Sequence, residues 1–176
     1  MSDLKQIFEE LAKIAGPDRL KTDPGVVAQY AVDGVAPKAV AFPKDTRMMA
    51  ALVQCASRGN LAMIPWGSGT KMAMGNPPKR LDLVLCMARM NHMPDVDTAN
   101  LTITVEAGVK FRDIQARLAT EEDRCYLPLE DLKTEAGEFV CSDRSYSGCF
   151  LPLDPPFSEK ATIGGIVAAN TNGPRR

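Results

Sequence analysis

Two short apolar runs, at residues 39–42 and 61–64, flank a segment with helical periodicity. Each run is long enough to form a buried strand. The segment between them has one apolar helical face: Met49, Leu52, Val53 and Ala56. Asp45 or Thr46 can cap this helix at its start. Because two strands joined by a helix run parallel, the pattern predicts a βαβ unit with a right-handed crossover.

The loop after the second predicted strand has residues suited to binding an anion. Its sequence is Pro65-Trp66-Gly67-Ser68-Gly69-Thr70-Lys71. Gly67 and Gly69 permit backbone angles closed to other residues and let amide groups approach a ligand. Ser68 and Thr70 add hydroxyl donors, and Lys71 adds a cation. Since open α/β sheets bind ligands at the carboxyl ends of their strands, this loop is predicted to hold a phosphate group, with a plain tight turn as the alternative.

A second glycine-rich segment lies near the end of the chain, where residues 161–170 read ATIGGIVAAN. Gly164 and Gly165 stand at the start of a predicted helix of small residues. Such a helix can expose its N-terminal amides to a phosphate group. The alternative is a helix that packs tightly against a sheet through its small face, and both interpretations remain open from the sequence.

The other segments predict a mixture of helices and strands. An N-terminal helix that ends at Gly16 is predicted from apolar residues at helical spacing: Leu4, Ile7, Phe8, Leu11 and Ile14. Residues 26–36 show no clear period and are predicted to be mostly loop. Strands of period two are predicted at residues 81–86 and 101–106, followed by a helix that begins at Phe111.

The charge balance and the termini exclude several classes of protein. Lys and Arg number 21 and Asp and Glu number 22, for a net charge of -1, which argues against nucleic acid as a main partner. No apolar run reaches the roughly 18 residues needed for a transmembrane segment. The N-terminus lacks the apolar stretch of a signal peptide, so we expect a cytoplasmic protein.

The five cysteines and the single histidine limit the possible metal and catalytic sites. One histidine excludes a multi-histidine zinc site and disfavours a Ser-His-Asp triad. His92 is predicted to be a surface residue. Cys55 and Cys86 are predicted to be core residues. The other three thiols lack the spacing of a zinc or iron–sulfur site, so no metal is expected: Cys125, Cys141 and Cys149.

Several segments together resemble the vanillyl-alcohol-oxidase superfamily of flavoproteins, whose FAD-binding domain is called PCMH-type. The matching segments are residues 65–71, Asn91, 104–109, 151–156, 161–165 and 170–176. The resemblance covers about residues 37–120 and 151–176. The ending Gly173-Pro174-Arg175-Arg176 is the most specific match, and it is similar to the FAD-binding subunits of glycolate oxidases.

The resemblance implies an α+β fold of two lobes with FAD extended between them. Residues 1–80 form the first lobe, with its N-terminal helix. Residues 81–176 form an incomplete second lobe with an insertion at about 121–150. The family continues beyond the point where this chain stops, so we expect weak or absent FAD binding by this fragment and no activity of the fragment alone, with its catalytic residues unassigned.

The resemblance also implies roles for particular residues. The pyrophosphate of FAD would be held by Gly67, Ser68, Gly69, Thr70 and Lys71. The pyrophosphate and the ribityl chain would be flanked by Thr162, Ile163, Gly164 and Gly165. Asn170 and Gly173 would lie on the flavin side. Trp66 stands where an arginine is common, and Lys71 can compensate for the lost charge. The loop has no histidine, so FAD is expected to bind without a covalent bond.

The function implied is the flavin-dependent oxidation of a small 2-hydroxy acid such as glycolate or D-lactate. The partners implied are other subunits of an oxidoreductase complex, including iron–sulfur subunits, and any membrane association would be through them. A non-catalytic FAD-binding or docking subunit is the alternative. A cell-wall enolpyruvyl reductase of the same fold is a third interpretation, and the ending at residues 173–176 argues against it.

Overall fold

The computed structural model describes residues 2–119 and 149–174, so Cys125, Cys141, Arg175 and Arg176 lie outside the described residues. The α-helices are α1 (Ser2–Ala15), α2 (Pro24–Val27), α3 (Thr46–Arg58), α4 (Phe111–Ala119) and α5 (Ile163–Ala168). The strands are β1 (Leu20–Lys21), β2 (Ala39–Ala41), β3 (Met63–Trp66), β4 (Leu83–Cys86), β5 (Asp95–Asp97) and β6 (Thr102–Thr104). Short 3-10 helices occupy Ala28–Tyr30 and Met87–Arg89.

A four-stranded sheet has the order β1-β2-β4-β3. Strands β2 and β3 both run parallel to β4, and β1 is antiparallel to β2. The predicted strand–helix–strand unit is present as β2, α3 and β3. Its two strands are not neighbours, however, because β4 lies between them. The three parallel strands place their carboxyl ends at one edge of the sheet, which is where the loop at 67–71 begins.

The strand predicted at residues 81–86 was assigned to the second lobe, and that placement is wrong. All four residues of β4 are buried in the centre of the first sheet. Leu83 and Leu85 pack into the core on one face, while Val84 and Cys86 pack on the other. A central parallel strand is covered on both faces, so its residues are buried at every position. The division of the chain into two lobes remains a prediction.

Helices α1 and α3 cover one face of the sheet, as their apolar periodicity predicted. Asp45 caps α3, where its Oδ1 accepts a hydrogen bond of 2.7 Å from the backbone N–H of Met48. The segment predicted to be mostly loop at 26–36 covers the other face and includes part of α2. Asp23 accepts hydrogen bonds from the amides of Gly25 and Val26, and this cap permits the short helix.

The remaining elements surround a second core that contains Val109, Ile114 and Leu118. Helix α4 carries two of these residues and confirms the helix predicted from Phe111. Strand β6 confirms part of the strand predicted at 101–106, and it pairs with β5 in an antiparallel ladder. No pattern in the sequence predicted β5, which has a single apolar residue, Val96. Among the described residues, none of the helices combines the length and the apolar composition of a transmembrane segment.

The carboxylate of Asp82, just before β4, is the one buried acidic side chain among the described residues. Lys38 Nζ lies 2.8 Å from its Oδ1, and Arg80 Nε lies 2.8 Å from its Oδ2. The amide of Ala62 donates to Oδ2 at 2.9 Å. Burial acts to raise the pKa of Asp82, but these hydrogen bonds and the two cations outweigh it, so the pKa is lowered. Asp82 therefore ties β4 to the segments that precede β2 and β3.

We predict that Asp82→Asn lowers the free energy of unfolding by about 2 kcal/mol, because it removes hydrogen bonds to a charged group in a buried position. Chemical denaturation followed by circular dichroism measures the change. Asp95→Asn is the matched control, since Asp95 is exposed, and it should change the free energy by less than about 0.5 kcal/mol.

The same comparison has a defined pH dependence. A carboxyl whose pKa is lowered on folding stabilises the protein above the unfolded pKa of about 3.9, and this is lost as the pH falls through the folded pKa. The difference between wild type and Asp82→Asn should therefore shrink in acid. A difference that stays constant down to the lowest pH at which the protein folds would contradict this assignment.

Candidate functional site

The loop at 67–71 and the segment at 162–165 meet in the structure. A Cβ atom added to Gly67 would overlap the Oγ1 atom of Thr162, so Gly67 lies closer to the side chain of Thr162 than any side chain at residue 67 would allow. Thr162 is itself buried and caps α5. The sequence therefore predicted two segments that do come together at the carboxyl end of β3.

The start of α5 is held by the backbone of residues 107–109. The amide of Ile163 donates to the carbonyl of Val109 at 2.8 Å, and the amide of Gly164 donates to the carbonyl of Ala107 at 3.0 Å. The amide of Gly165 donates to Thr162 Oγ1 at 3.3 Å. Each of these three amides already has an acceptor within the protein, so of the two interpretations that the sequence left open the structure favours packing over exposed amides.

The alternative interpretation of the glycine pair, tight packing, fits Gly164. A Cβ atom at residue 164 would lie 2.7 Å from the carbonyl oxygen and 2.8 Å from the Cβ of Ala107. Gly108, in the same partner segment, would overlap the carbonyl of Met87 if it carried a side chain. The 105–109 segment is a structural part of the site, and it was not among the site residues predicted from the sequence. Gly108 was the available signal for it.

The amides of the loop differ from those of α5. Within the described residues, no hydrogen bond uses the backbone N–H of Ser68, Gly69 or Thr70. Gly69 has a φ of 75°, in the left-handed region that favours glycine. A turn with such a residue can direct successive N–H groups into one concavity, which suits an anion. The loop thus has donors available where α5 has none.

Lys71, a partly buried residue, ends the loop with a cation. Its Nζ is inaccessible to solvent and has no hydrogen-bond partner among the residues that the structure describes. Burial lowers the pKa of the Lys71 ammonium. A buried ammonium without an acceptor is costly, and an anion in the loop would relieve that cost. These donors and this charge fit a diphosphate, with Ser68 as an exposed hydroxyl at the rim.

Trp66 forms the floor of the loop. A Cβ atom at Gly69 would lie 2.5 Å from the indole Cζ2 of Trp66, so the glycine backbone rests on the ring. The ring centroid of Trp66 is 5.1 Å from that of Tyr30, which lies 6.0 Å from that of Phe42, both edge to face. Trp66 therefore contributes packing at a position where the resemblance implied an arginine.

Asn170 and Gly173 lie after α5, and both have positive φ angles, 48° and 78°. Gly173 packs against Asp154, whose carbonyl oxygen a Cβ at residue 173 would overlap. The amide of Asp154 donates to the carbonyl of Asn172 at 3.0 Å. These contacts join the 170–173 segment to residues 151–154. Within the described residues, none of these contacts involves the loop at 67–71.

His92, Cys55 and Cys86 are located as the sequence predicted. The side chain of His92 is 71% exposed, and its Nδ1 lies 2.7 Å from Glu106 Oε2. The hydrogen bond from the backbone N–H of His92 is the main cause that lowers the pKa of Glu106. Cys55 and Cys86 are buried. Among the described residues, no three histidine, cysteine or acidic side chains are grouped to hold a metal.

Comparison with known proteins adds to this geometry. A family described as FAD binding domain matches residues 37–130. Glycolate oxidase subunit GlcD of Bacillus subtilis (strain 168) is 26% identical over 176 residues, which cover 97% of this chain and 32% of that protein. D-2-hydroxyglutarate dehydrogenase of Xanthomonas citri pv. viticola is 28% identical over 162 residues, covering 89% of this chain and 29% of that protein.

A solved structure of alkyldihydroxyacetonephosphate synthase has a TM-score of 0.73 to this chain. It is 21% identical in sequence, and the match covers 96% of this chain and 32% of that one. This likeness confirms the predicted α+β, PCMH-type fold. The chain spans about a third of the length of the curated relatives that it matches.

We predict that Gly67→Ala destabilises the protein by about 1–3 kcal/mol, because the new methyl group overlaps Thr162. Thr162→Ala removes the overlapping hydroxyl and should recover part of that loss in the double variant. The measurement is a double-mutant cycle on the free energy of unfolding, with an expected coupling of about 0.5–3 kcal/mol. Strictly additive effects would contradict the contact.

Proposed function

Because this chain belongs to the FAD binding domain family, we propose that it is the FAD-binding portion of a flavin-dependent 2-hydroxy-acid dehydrogenase or oxidase subunit. FAD is the cofactor of this family. Two relatives are named for glycolate and D-2-hydroxyglutarate, which are both 2-hydroxy acids, and their names support this substrate class. A glycolate or D-lactate type of substrate is the corresponding proposal for this chain.

The observation that carries the proposal is the loop at 67–71, with its available amides and the unpaired ammonium of Lys71. We assign the pyrophosphate of FAD to this loop. The flanking residues are Thr162, Ile163, Gly164 and Gly165. Since the amides of Ile163, Gly164 and Gly165 are already hydrogen-bonded, this segment contributes a close surface rather than donors from those three residues. Asn170 and Gly173 are assigned to the flavin side of the site.

When bound, FAD supplies an acceptor for the hydride that leaves the carbon bearing the hydroxyl group of the acid. The described residues contribute binding and orientation: donors from the loop, a cation from Lys71, and a rigid floor from Trp66. We propose that FAD is held without a covalent bond. The loop has no histidine, and Nδ1 of His92 is hydrogen-bonded to Glu106, which supports this proposal.

A second candidate is a non-catalytic FAD-binding or docking subunit of a larger oxidoreductase complex. The Bacillus subtilis relative is named as a subunit, and that name favours this candidate. Exposed apolar side chains at Phe150, Phe157 and Val167 are available for contacts with other chains. Iron–sulfur partners, a cytoplasmic location and any membrane association through partners belong to the same proposal.

We predict that FAD quenches the fluorescence of Trp66, the single tryptophan of the chain, because the loop rests on its indole ring. Riboflavin is the matched control, since it has the same ring system without the pyrophosphate. It should bind at least about tenfold more weakly if hydrogen bonds to the charged pyrophosphate contribute to affinity. Equal affinities for the two flavins would contradict the assignment of the loop.

The substrate class is tested on the purified native protein or complex that carries this chain. Under anaerobic conditions, glycolate or D-lactate should bleach the visible absorbance of the bound flavin as the acid is oxidised. The corresponding acid without the 2-hydroxyl group, acetate or propionate, should leave the spectrum unchanged. A flavin that no 2-hydroxy acid bleaches would favour the non-catalytic candidate.

A further inference from the structure

We propose that Asn172 is a site of spontaneous deamidation, in which the backbone nitrogen of Gly173 attacks the side-chain amide of Asn172 and ammonia is released. Asparagine is one of the chemically labile residues of proteins. The chain supplies both reacting groups, and water is the co-reactant. This inference is independent of the proposed cofactor and substrate, because it concerns only the covalent chemistry of the 170–173 segment.

The reaction closes a ring and then opens it. The Gly173 nitrogen loses its proton to water or hydroxide and forms a bond to Cγ of Asn172. The bond from Cγ to Nδ2 breaks, Nδ2 leaves as ammonia with a proton from the solvent, and a cyclic succinimide remains. Water then adds to one of the two ring carbonyls, and the product at residue 172 is either an aspartyl or an isoaspartyl residue. Nothing is oxidised or reduced.

The first support is the state of the amide that follows each asparagine. An amide that donates a hydrogen bond within the protein is held in place and keeps its proton, so its nitrogen is a poor nucleophile. After Asn60, Asn91, Asn100 and Asn170 the next amide is hydrogen-bonded: Leu61 to the carbonyl of Ala56 at 2.9 Å, His92 to Glu106 Oε2 at 2.9 Å, Leu101 to the carbonyl of Thr98 at 3.4 Å and Thr171 to the carbonyl of Ile166 at 3.0 Å. Asn76 is followed by Pro77, which has no N–H. Asn172 is the remaining asparagine of the chain, and within the described residues no hydrogen bond uses the N–H of Gly173.

The second support is the glycine itself. Gly173 has no Cβ atom, so no side chain at residue 173 shields the nitrogen from Cγ of Asn172. The fold also requires a glycine here. Its φ is 78°, in the left-handed region, and a Cβ atom would overlap the carbonyl oxygen of Asp154. The chain therefore cannot slow the reaction by placing a bulkier residue after Asn172 without losing this contact.

The product changes two contacts of residue 172. The Nδ2 atom of Asn172 donates to Oδ1 of Asn170 at 3.1 Å, and deamidation replaces that donor with a carboxylate oxygen, which cannot donate. The carbonyl of Asn172 accepts from the amide of Asp154 at 3.0 Å. In the isoaspartyl form the main chain runs through Cβ and Cγ, and this carbonyl becomes part of a free carboxylate. The join between residues 170–173 and 151–154 is therefore weakened as the protein ages.

The experiment incubates the folded 176-residue chain in mildly alkaline buffer enriched in heavy-oxygen water. Peptide mapping by mass spectrometry then locates each asparagine that has become an acid, and chromatography separates aspartyl from isoaspartyl peptides. Asn60 is the internal control, because it is exposed but is followed by a leucine whose amide is hydrogen-bonded. We expect deamidation at Asn172 to be at least about tenfold faster than at Asn60, since glycine leaves the attacking nitrogen unshielded. The product should carry solvent oxygen and include the isoaspartyl form.

Two variants connect the modification to its effect on the fold. Asn172→Gln keeps the side-chain amide but must close a larger ring, so residue 172 should stay unmodified over the same incubation. Asn60→Gln is the matched control and should age like the wild type. Thermal unfolding of each sample, before and after incubation, should show a fall in melting temperature for the wild type and for Asn60→Gln, and no fall for Asn172→Gln.

The outcomes are distinguishable. Deamidation of Asn172 in the chain unfolded by urea, with none in the folded chain, would show that the fold protects the pair and would overturn the inference. Similar rates at Asn60 and Asn172 in the folded chain would overturn the role of the available Gly173 amide. An equal fall in melting temperature for the wild type and Asn172→Gln would overturn the structural consequence. Each of these results leaves the proposed function standing.

Discussion

The contact between Gly67 and Thr162 joins two parts of the chain that are far apart in sequence. On one side is the loop at the carboxyl end of β3. On the other is α5, which is hydrogen-bonded to the 107–109 segment. The absence of a side chain at residue 67 allows the backbone of the loop to approach the side chain of Thr162. Without this approach the loop would be a turn at the edge of one sheet, and the proposed cofactor site would have a single wall.

Two kinds of glycine are found at the site, and they act differently. Gly69 has a left-handed backbone and belongs to a stretch whose amides are available to a ligand. Gly164 permits close packing against Ala107, and its amide is used within the protein. The proposed anion binding and the chain packing thus belong to separate segments. Trp66 follows the same division. It stands where an arginine is common in the family, and its indole ring contributes packing, while the positive charge of the loop is on Lys71.

The sequence predicted most of the helices and strands, but less of the strand order and of the contacts between segments. Helices α1, α3 and α4 were predictable because their apolar faces and caps are local features. The place of β4 was not, because a buried central strand and an alternating strand can have similar short sequences. That the loop and α5 lie close together was predicted only through the family resemblance. The hydrogen bonds of the α5 amides could not be predicted, because their acceptors lie near residue 108 and no local pattern reveals them.

Strand β4 follows the loop in sequence but lies between β2 and β3 in the sheet. Until residues 83–86 have been synthesised, β3 has no neighbour, since adjacent strands are about 4.8 Å apart and β2 is two such spacings away. The loop is therefore anchored only after a later part of the chain arrives. During synthesis on the ribosome, a nascent chain that already contains every residue of the loop still lacks the means to hold it in place.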